Sequence, residues 1–152
     1  MIIEFIQEEE NRIIERFPKR RNFLYSSGYL QFMDKKTNIH ELKEVVKKFC
    51  EDREWDQYHG AKELAIGIIT ESAELLDHFR FKSEKQIKEM FENPKKRAEI
   101  SEEMADVLYF LLRLAQKYNI DLTTELNRKM DKNEKRYPVE KIKGLNKKYT
   151  EI

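Results

Sequence analysis

KELAIGIITESAELLDHFR, residues 62–80, has the apolar content of a buried helix, with Glu71 and Glu74 breaking into its apolar run. A second segment, EISEEMADVLYFLLRLAQ (residues 99–116), does the same with Glu103 and Asp106. On a helix, residues three apart lie one turn along and close in azimuth. Each segment therefore carries an acid pair on one face, flanked by Leu64, Ile68 and Leu75 in the first and by Val107, Leu108, Phe110 and Leu111 in the second. Carboxylates among apolar side chains are costly unless paired, protonated or bound to a cation. Four facing one another repel unless a hard divalent ion sits between them, and oxygen-only ligands suit Mg2+ or Mn2+ rather than zinc. The competing assignment is a solvated or lysine-paired helix face, which we prefer for Glu99 and Glu102. One acid pair would be assigned that way; two, each in the most apolar part of its helix, favour a metal site.

Working outward, Asn38 with Glu41 resembles a capping box and opens a helix to about Asp52, with Leu42, Val45, Val46 and Phe49 on one face. REWDQYHG, residues 53–60, is an aromatic and polar linker. The central helix spans about Ala61 to Phe81. Ser83 and Gln86 begin a short helix through Phe91, and Asn93-Pro94 ends it and starts a long one to about Tyr118. Asn119 to Asp121 form a turn, Asp121 or Thr123 caps a last helix reaching Arg136, and Pro138 closes it. The lysine-rich tail is expected to be loose or packed on a partner. Upstream, residues 2–16 have helical spacing, and the aromatic stretch 22–34 is assigned as helix over hairpin. No internal repeat, low-complexity segment or heptad seam is expected. Short connections from Asn38 onward predict an all-α, antiparallel helical bundle.

Few glycines (4) and prolines (3) and a 39% charged content also favour helices over sheets. Thirty basic against 29 acidic residues leave a net charge of +1, which gives no electrostatic support for nucleic-acid binding. A lone Cys50 excludes an internal disulfide and a cysteine-rich zinc site. No apolar run is long enough to span a membrane, and the acidic N-terminus does not look like a secretory signal. A cytoplasmic location is expected.

The order Glu71-x-x-Glu74, then Glu103-x-x-Asp106, resembles the MazG-like all-α nucleoside triphosphate pyrophosphohydrolases, most nearly their dCTP pyrophosphatase branch. REWDQYH (53–59) is similar to that branch's entry to its first catalytic helix, ESAELLDHFRF (71–81) and EEMADVLYFLLRLA (102–115) to its two metal-binding helices, and KMDKNEKRYP (129–138) to its closing signature. The likeness implies an N-terminal extension over 1–38, a catalytic domain over 39–138 and a tail over 139–152. It implies hydrolysis of a (deoxy)nucleoside triphosphate to the monophosphate and pyrophosphate, with Mg2+, or Mn2+, on Glu71, Glu74, Glu103 and Asp106. It also implies phosphate or sugar contacts from Lys129, Asn133 and Arg136, and base contacts from the aromatics Trp55 and Phe81. Assembly as a dimer or dimer of dimers, with sites at subunit contacts, follows from the same likeness.

Lys129, Asn133 and Arg136 share one helix stripe that could neutralise phosphate charge. Their bland alternative is pairing with Glu125 or Glu140. Trp55 would by composition pack the linker, and stacking on a base is the sharper alternative. His59 would cap the central helix or bond the base; Asp77 would join the acids or pair with Arg80. Two departures from the branch bear on base choice: Val46 stands at its histidine and Phe110 at its tyrosine. They motivate the rival function, a non-catalytic helical interaction module. A di-iron bundle would need Glu-x-x-His pairs, which His40, His59 and His78 do not supply.

Overall fold

A computed structural model describes residues 34–151, so the expectations for residues 2–16 and for 22–33 lie outside it. Among the described residues every regular element is helical. Helix α1 spans Ile39–Glu51, α2 Ala61–Phe79, α3 Glu84–Glu92, α4 Pro94–Lys117, α5 Leu122–Arg136 and α6 the single turn Val139–Ile142. The linker contains a 3-10 turn, Trp55–Tyr58, and a second such turn, Tyr149–Glu151, lies near the end. These bounds follow the local chemistry. Ser83 and Gln86 close a reciprocal capping box on α3. The Asn93 side chain accepts from the amides of Lys95 (3.0 Å) and Lys96 (3.1 Å) ahead of Pro94. Asp121, not Thr123, caps α5 by accepting from the Thr124 amide at 2.8 Å. Asn119 ends the preceding connection in the left-handed region (φ 52°), which asparagine tolerates. The tail, expected to be loose or packed on a partner, forms the turn α6, and its Tyr149 meets Tyr137 edge-on at 5.9 Å.

Helix α4 is the hub: α2 pairs with it most extensively, and α1 and α3 also pack on it. The two helices meet along one face of each, a seam that can be followed layer by layer. A Cβ placed on Gly67 would lie 2.5 Å from the Phe110 ring. One turn on, Glu71 feels the charge of Asp106; then Glu74 and Glu103 meet; then His78 acts on Glu99. Each step of four or three along α2 is answered by the same step backwards along α4, the antiparallel packing of 3.5-residue periodicity. The seam escaped sequence inspection because a glycine, five acids and a histidine occupy positions where an apolar stripe would carry leucine.

A second layer covers one side of this pair. Val46, Cys50 and Leu112 are buried, with Leu42, Phe49, Tyr109 and Leu122 packed around them. The Cys50 sulfur lies 3.1 Å from the Tyr109 hydroxyl. Phe79 stacks on Phe91 at 6.0 Å, tying the end of α2 to α3. The other side is left uncovered by the described residues: Ile66, Ile69 and Leu76 on α2 and Met104, Leu108 and Leu111 on α4 are exposed. Among the described residues, α5 meets the other helices beyond Leu122 only through isolated contacts, and it exposes Leu126 and Met130. No described helix is long and apolar enough to cross a membrane.

Candidate active site

The seam positions the acids. Because Glu71, Glu74, Glu103 and Asp106 sit at successive seam layers, the two helices direct both pairs into one gap. Carboxylate oxygens of Glu71, Glu74 and Glu103 lie within 4.8 Å of one another. Asp106 is outside that triplet but close enough to act on Glu71. Glu71 and Glu103 are half-buried, Glu74 and Asp106 exposed. The Glu71 carboxyl is held above the ordinary carboxylate range, first by partial burial and then by the charges of Glu74, Asp106 and Glu103. Among the described residues no lysine, arginine or histidine pairs with any of the four. An all-carboxylate donor set without an internal cation fits a hard divalent ion. Glu99, in contrast, pairs with Lys96 at 2.7 Å, as expected for a solvated acid.

From the acids an open groove of about 850 Å³ runs along α2. Glu74 and Glu103 line one part, Ile69, Ala73 and Leu76 form an apolar wall, and His78 and Arg80 lie further along. Asp77 is turned to Arg80, at 4.0 Å, rather than to the acid triplet. Phe81 follows α2 with a left-handed backbone (φ 59°) and is 89% exposed, the Arg80 guanidinium lying 4.7 Å over its ring. Phe110 is half-buried against Gly67, in the seam layer after Asp106. Val46, at the branch's histidine position, belongs to the core.

The remaining predicted residues are not gathered at the acids. Lys129 and Arg136 are exposed and Asn133 half-buried on α5. Glu125 pairs with Arg128, not Lys129, and Arg136 lies 4.9 Å over the Tyr149 ring. Trp55 is 39% exposed, edge-on to Phe49 at 5.7 Å and to His59 at 6.1 Å. Phe49 in turn meets Tyr109 at 6.0 Å.

Sequence inspection missed Arg113. It is 1% exposed, yet it is a seam residue of α4 that reaches the 53–60 linker. Its Nη2 pairs with the Asp56 carboxylate, its Nε donates to His59 Nδ1 at 3.3 Å, and its Nη1 donates to Gln116. Lys117 adds a bond to the other Asp56 oxygen at 3.2 Å and one to the Asp56 carbonyl. Lys117, then Arg113, hold the Asp56 carboxyl below its usual range. Burial, then the same two cations, depress the His59 imidazole. His59 is thus a partner of a buried guanidinium and not a helix cap. An arginine between Leu112 and Leu114 was the available signal, since a charge there requires a partner.

The MazG-like family model matches residues 66–152, which contain all four acids. The dCTP pyrophosphatase 1 of Rattus norvegicus is 32% identical over 127 residues, covering 84% of this chain and 74% of the relative. That of Homo sapiens is 31% identical over 114 residues, covering 75% and 67%. The crystal structure of a pyrophosphatase from Archaeoglobus fulgidus superposes with a TM-score of 0.61 at 39% identity, covering 66% of this chain and 92% of its own. The paired helices, the acids at their seam and these likenesses agree, and the chain belongs to the MazG-like family.

Proposed function

We propose that the protein hydrolyses deoxynucleoside triphosphates, favouring dCTP-like substrates, to the monophosphate and pyrophosphate. Glu71, Glu74, Glu103 and Asp106 would hold Mg2+, with Mn2+ able to take its place. The coarser statement, that it is a nucleoside triphosphate pyrophosphohydrolase, follows from its kinship with pyrophosphatases of the same family. The observation that carries the proposal is the cluster of carboxylates in the α2–α4 seam, with no basic side chain paired to it among the described residues. When bound, the divalent ion supplies positive charge to the triphosphate oxygens and acidifies water.

The chain's own residues do the rest. The seam fixes both acid pairs on rigid helices, so the site is preorganised. A carboxylate of the cluster, poised by its neighbours' charge, orients the water that attacks the α-phosphorus, and pyrophosphate leaves in line. The apolar groove wall of Ile69, Ala73 and Leu76 limits water beside the reacting group. Trp55, His59, Phe81 and Phe110 serve the nucleoside, and Lys129, Asn133 and Arg136 serve the phosphates. Among the described residues α5 makes only isolated contacts with the other helices beyond Leu122, and exposed apolar side chains flank the seam. Both observations support a homodimer or homotetramer in which α5 of one copy completes the site of another. We assign the catalytic domain to 39–138, flanked by the extension 1–38 and the tail 139–152. The location we assign is the cytoplasm, and we assign no nucleic-acid or membrane partner.

A panel of nucleoside triphosphates incubated with the protein and Mg2+, scored by product, tests this. The expected products are dCMP and pyrophosphate from dCTP, abolished in Glu74→Ala. Orthophosphate as the product, or metal-induced stabilisation with no turnover on any nucleotide, would overturn it.

A further inference from the structure

The Arg113 cluster lies outside the acid site, and of its members the proposed function uses His59 alone. Three observations give it a role. First, the Arg113 guanidinium is fully buried on α4, and the side chains it bonds include Asp56 and His59 of the linker, 57 and 54 residues away. Second, Asp56 stands immediately after Trp55 in the same 3-10 turn, preceded by Glu54 in the left-handed region (φ 54°). Local bonds close this short turn, and those from Arg113 and Lys117 to Asp56 tie it to α4. Third, the Trp55 ring meets Phe49 and His59 in T-shaped contacts, the Arg53 guanidinium lies 5.9 Å over it and the side chain remains 39% exposed, so its orientation is fixed while part of it is open to a ligand.

We propose that Arg113 is a positioning residue for nucleotide binding: through Asp56 and His59 it fixes the Trp55–Tyr58 turn and so the angle at which Trp55 presents its ring to the base. This rests on the assignment of Trp55 to the nucleoside. The planar guanidinium fork serves three acceptors in fixed directions, which the single ammonium of lysine cannot reproduce. The acids on α2 and α4 do not depend on this cluster, so its loss acts on binding and not on the chemical step.

Trp55 is the only tryptophan, so intrinsic fluorescence reports on this turn alone. The experiment measures kcat, KM for dCTP and Trp55 emission, with and without dCMP, in the unmodified chain and in Arg113→Met, Arg113→Lys and Asp56→Asn. The expected result is a KM raised about tenfold or more in Arg113→Met, with kcat within about threefold, emission shifted to the red and its response to dCMP weakened. Arg113→Lys should recover part of the KM, and Asp56→Asn should reproduce the direction of all changes if Arg113→Met does not fold. An unchanged KM despite shifted emission would overturn the positioning role, as would a kcat lowered as much as kcat/KM. The two assignments separate through Trp55→Ala. If that variant keeps its KM, the base contact itself fails and takes the positioning role with it. If its KM rises while those of Arg113→Met and Asp56→Asn do not, the positioning role alone fails.

Discussion

Glu71 carries the repulsion of the site: partial burial and three neighbouring carboxylates all oppose its charged form. Removing a residue that merely orients a metal's ligand costs ten- to a hundredfold. Glu74→Ala, which deletes a proposed ligand outright, is expected to lower turnover by more than about a hundredfold, measured as pyrophosphate release. Gly67 tests the seam one layer away. Alanine there gains helix propensity of about 1 kcal/mol but drives its Cβ into the Phe110 ring, and overpacking of this kind costs about 1–3 kcal/mol. Gly67→Ala should therefore be destabilised in denaturant melts by up to about 2 kcal/mol, and the Phe110→Leu background should recover at least about 0.5 kcal/mol of that. The acids were legible in the sequence because carboxylates in apolar runs require an explanation. Gly67 was not, since its role lies wholly in the ring opposite it.

Among the elements, helix ends were legible where a side chain caps them: Ser83, Asn93 and Asp121 each bond the amides their sequence positions predict. The linker was not legible, because its partners are supplied by a helix more than fifty residues away. That linker gives a pH dependence. The His59 pKa is depressed below its ordinary value of about 6.5, by burial and by Arg113 and Lys117, with Asp56 opposing. The unfolded chain therefore takes up a proton near pH 6.5 that the folded chain refuses until lower pH, so stability falls across that window as pH drops. Asp56 acts elsewhere: its depressed carboxyl contributes stability that is lost only below its ordinary value of 3.8. Thermal melts at pH 7.5 and 5.5 should show the unmodified chain losing more stability than His59→Phe. Equal losses would remove His59 from the linkage.

For the whole molecule, the all-α class was legible from composition and spacing, and α5 was legible as a helix but not in its placement. Among the described residues Leu126 and Met130 of α5 find little to cover them, and the proposed assembly would supply that cover. Ile69, 70% exposed beside the acids, is the sharpest probe. If this face joins two copies, Ile69→Glu should shift the assembly towards monomer in sedimentation and lower activity at low protein concentration, while helical content is retained. An unchanged assembly would place the contact elsewhere. Metal binding acts on the whole fold too: a ligand at a hundred times its Kd adds about 2.7 kcal/mol to folding stability.

The most direct measurement is calorimetric titration of Mn2+ or Mg2+ into the unmodified protein and into Glu71→Gln, Glu74→Gln, Glu103→Gln and Asp106→Asn. One divalent site weakened in all four variants is the predicted result, because acids from both helices grip the same ion. Affinity unchanged in the α4 pair, Glu103→Gln and Asp106→Asn, would contradict a shared site at the seam.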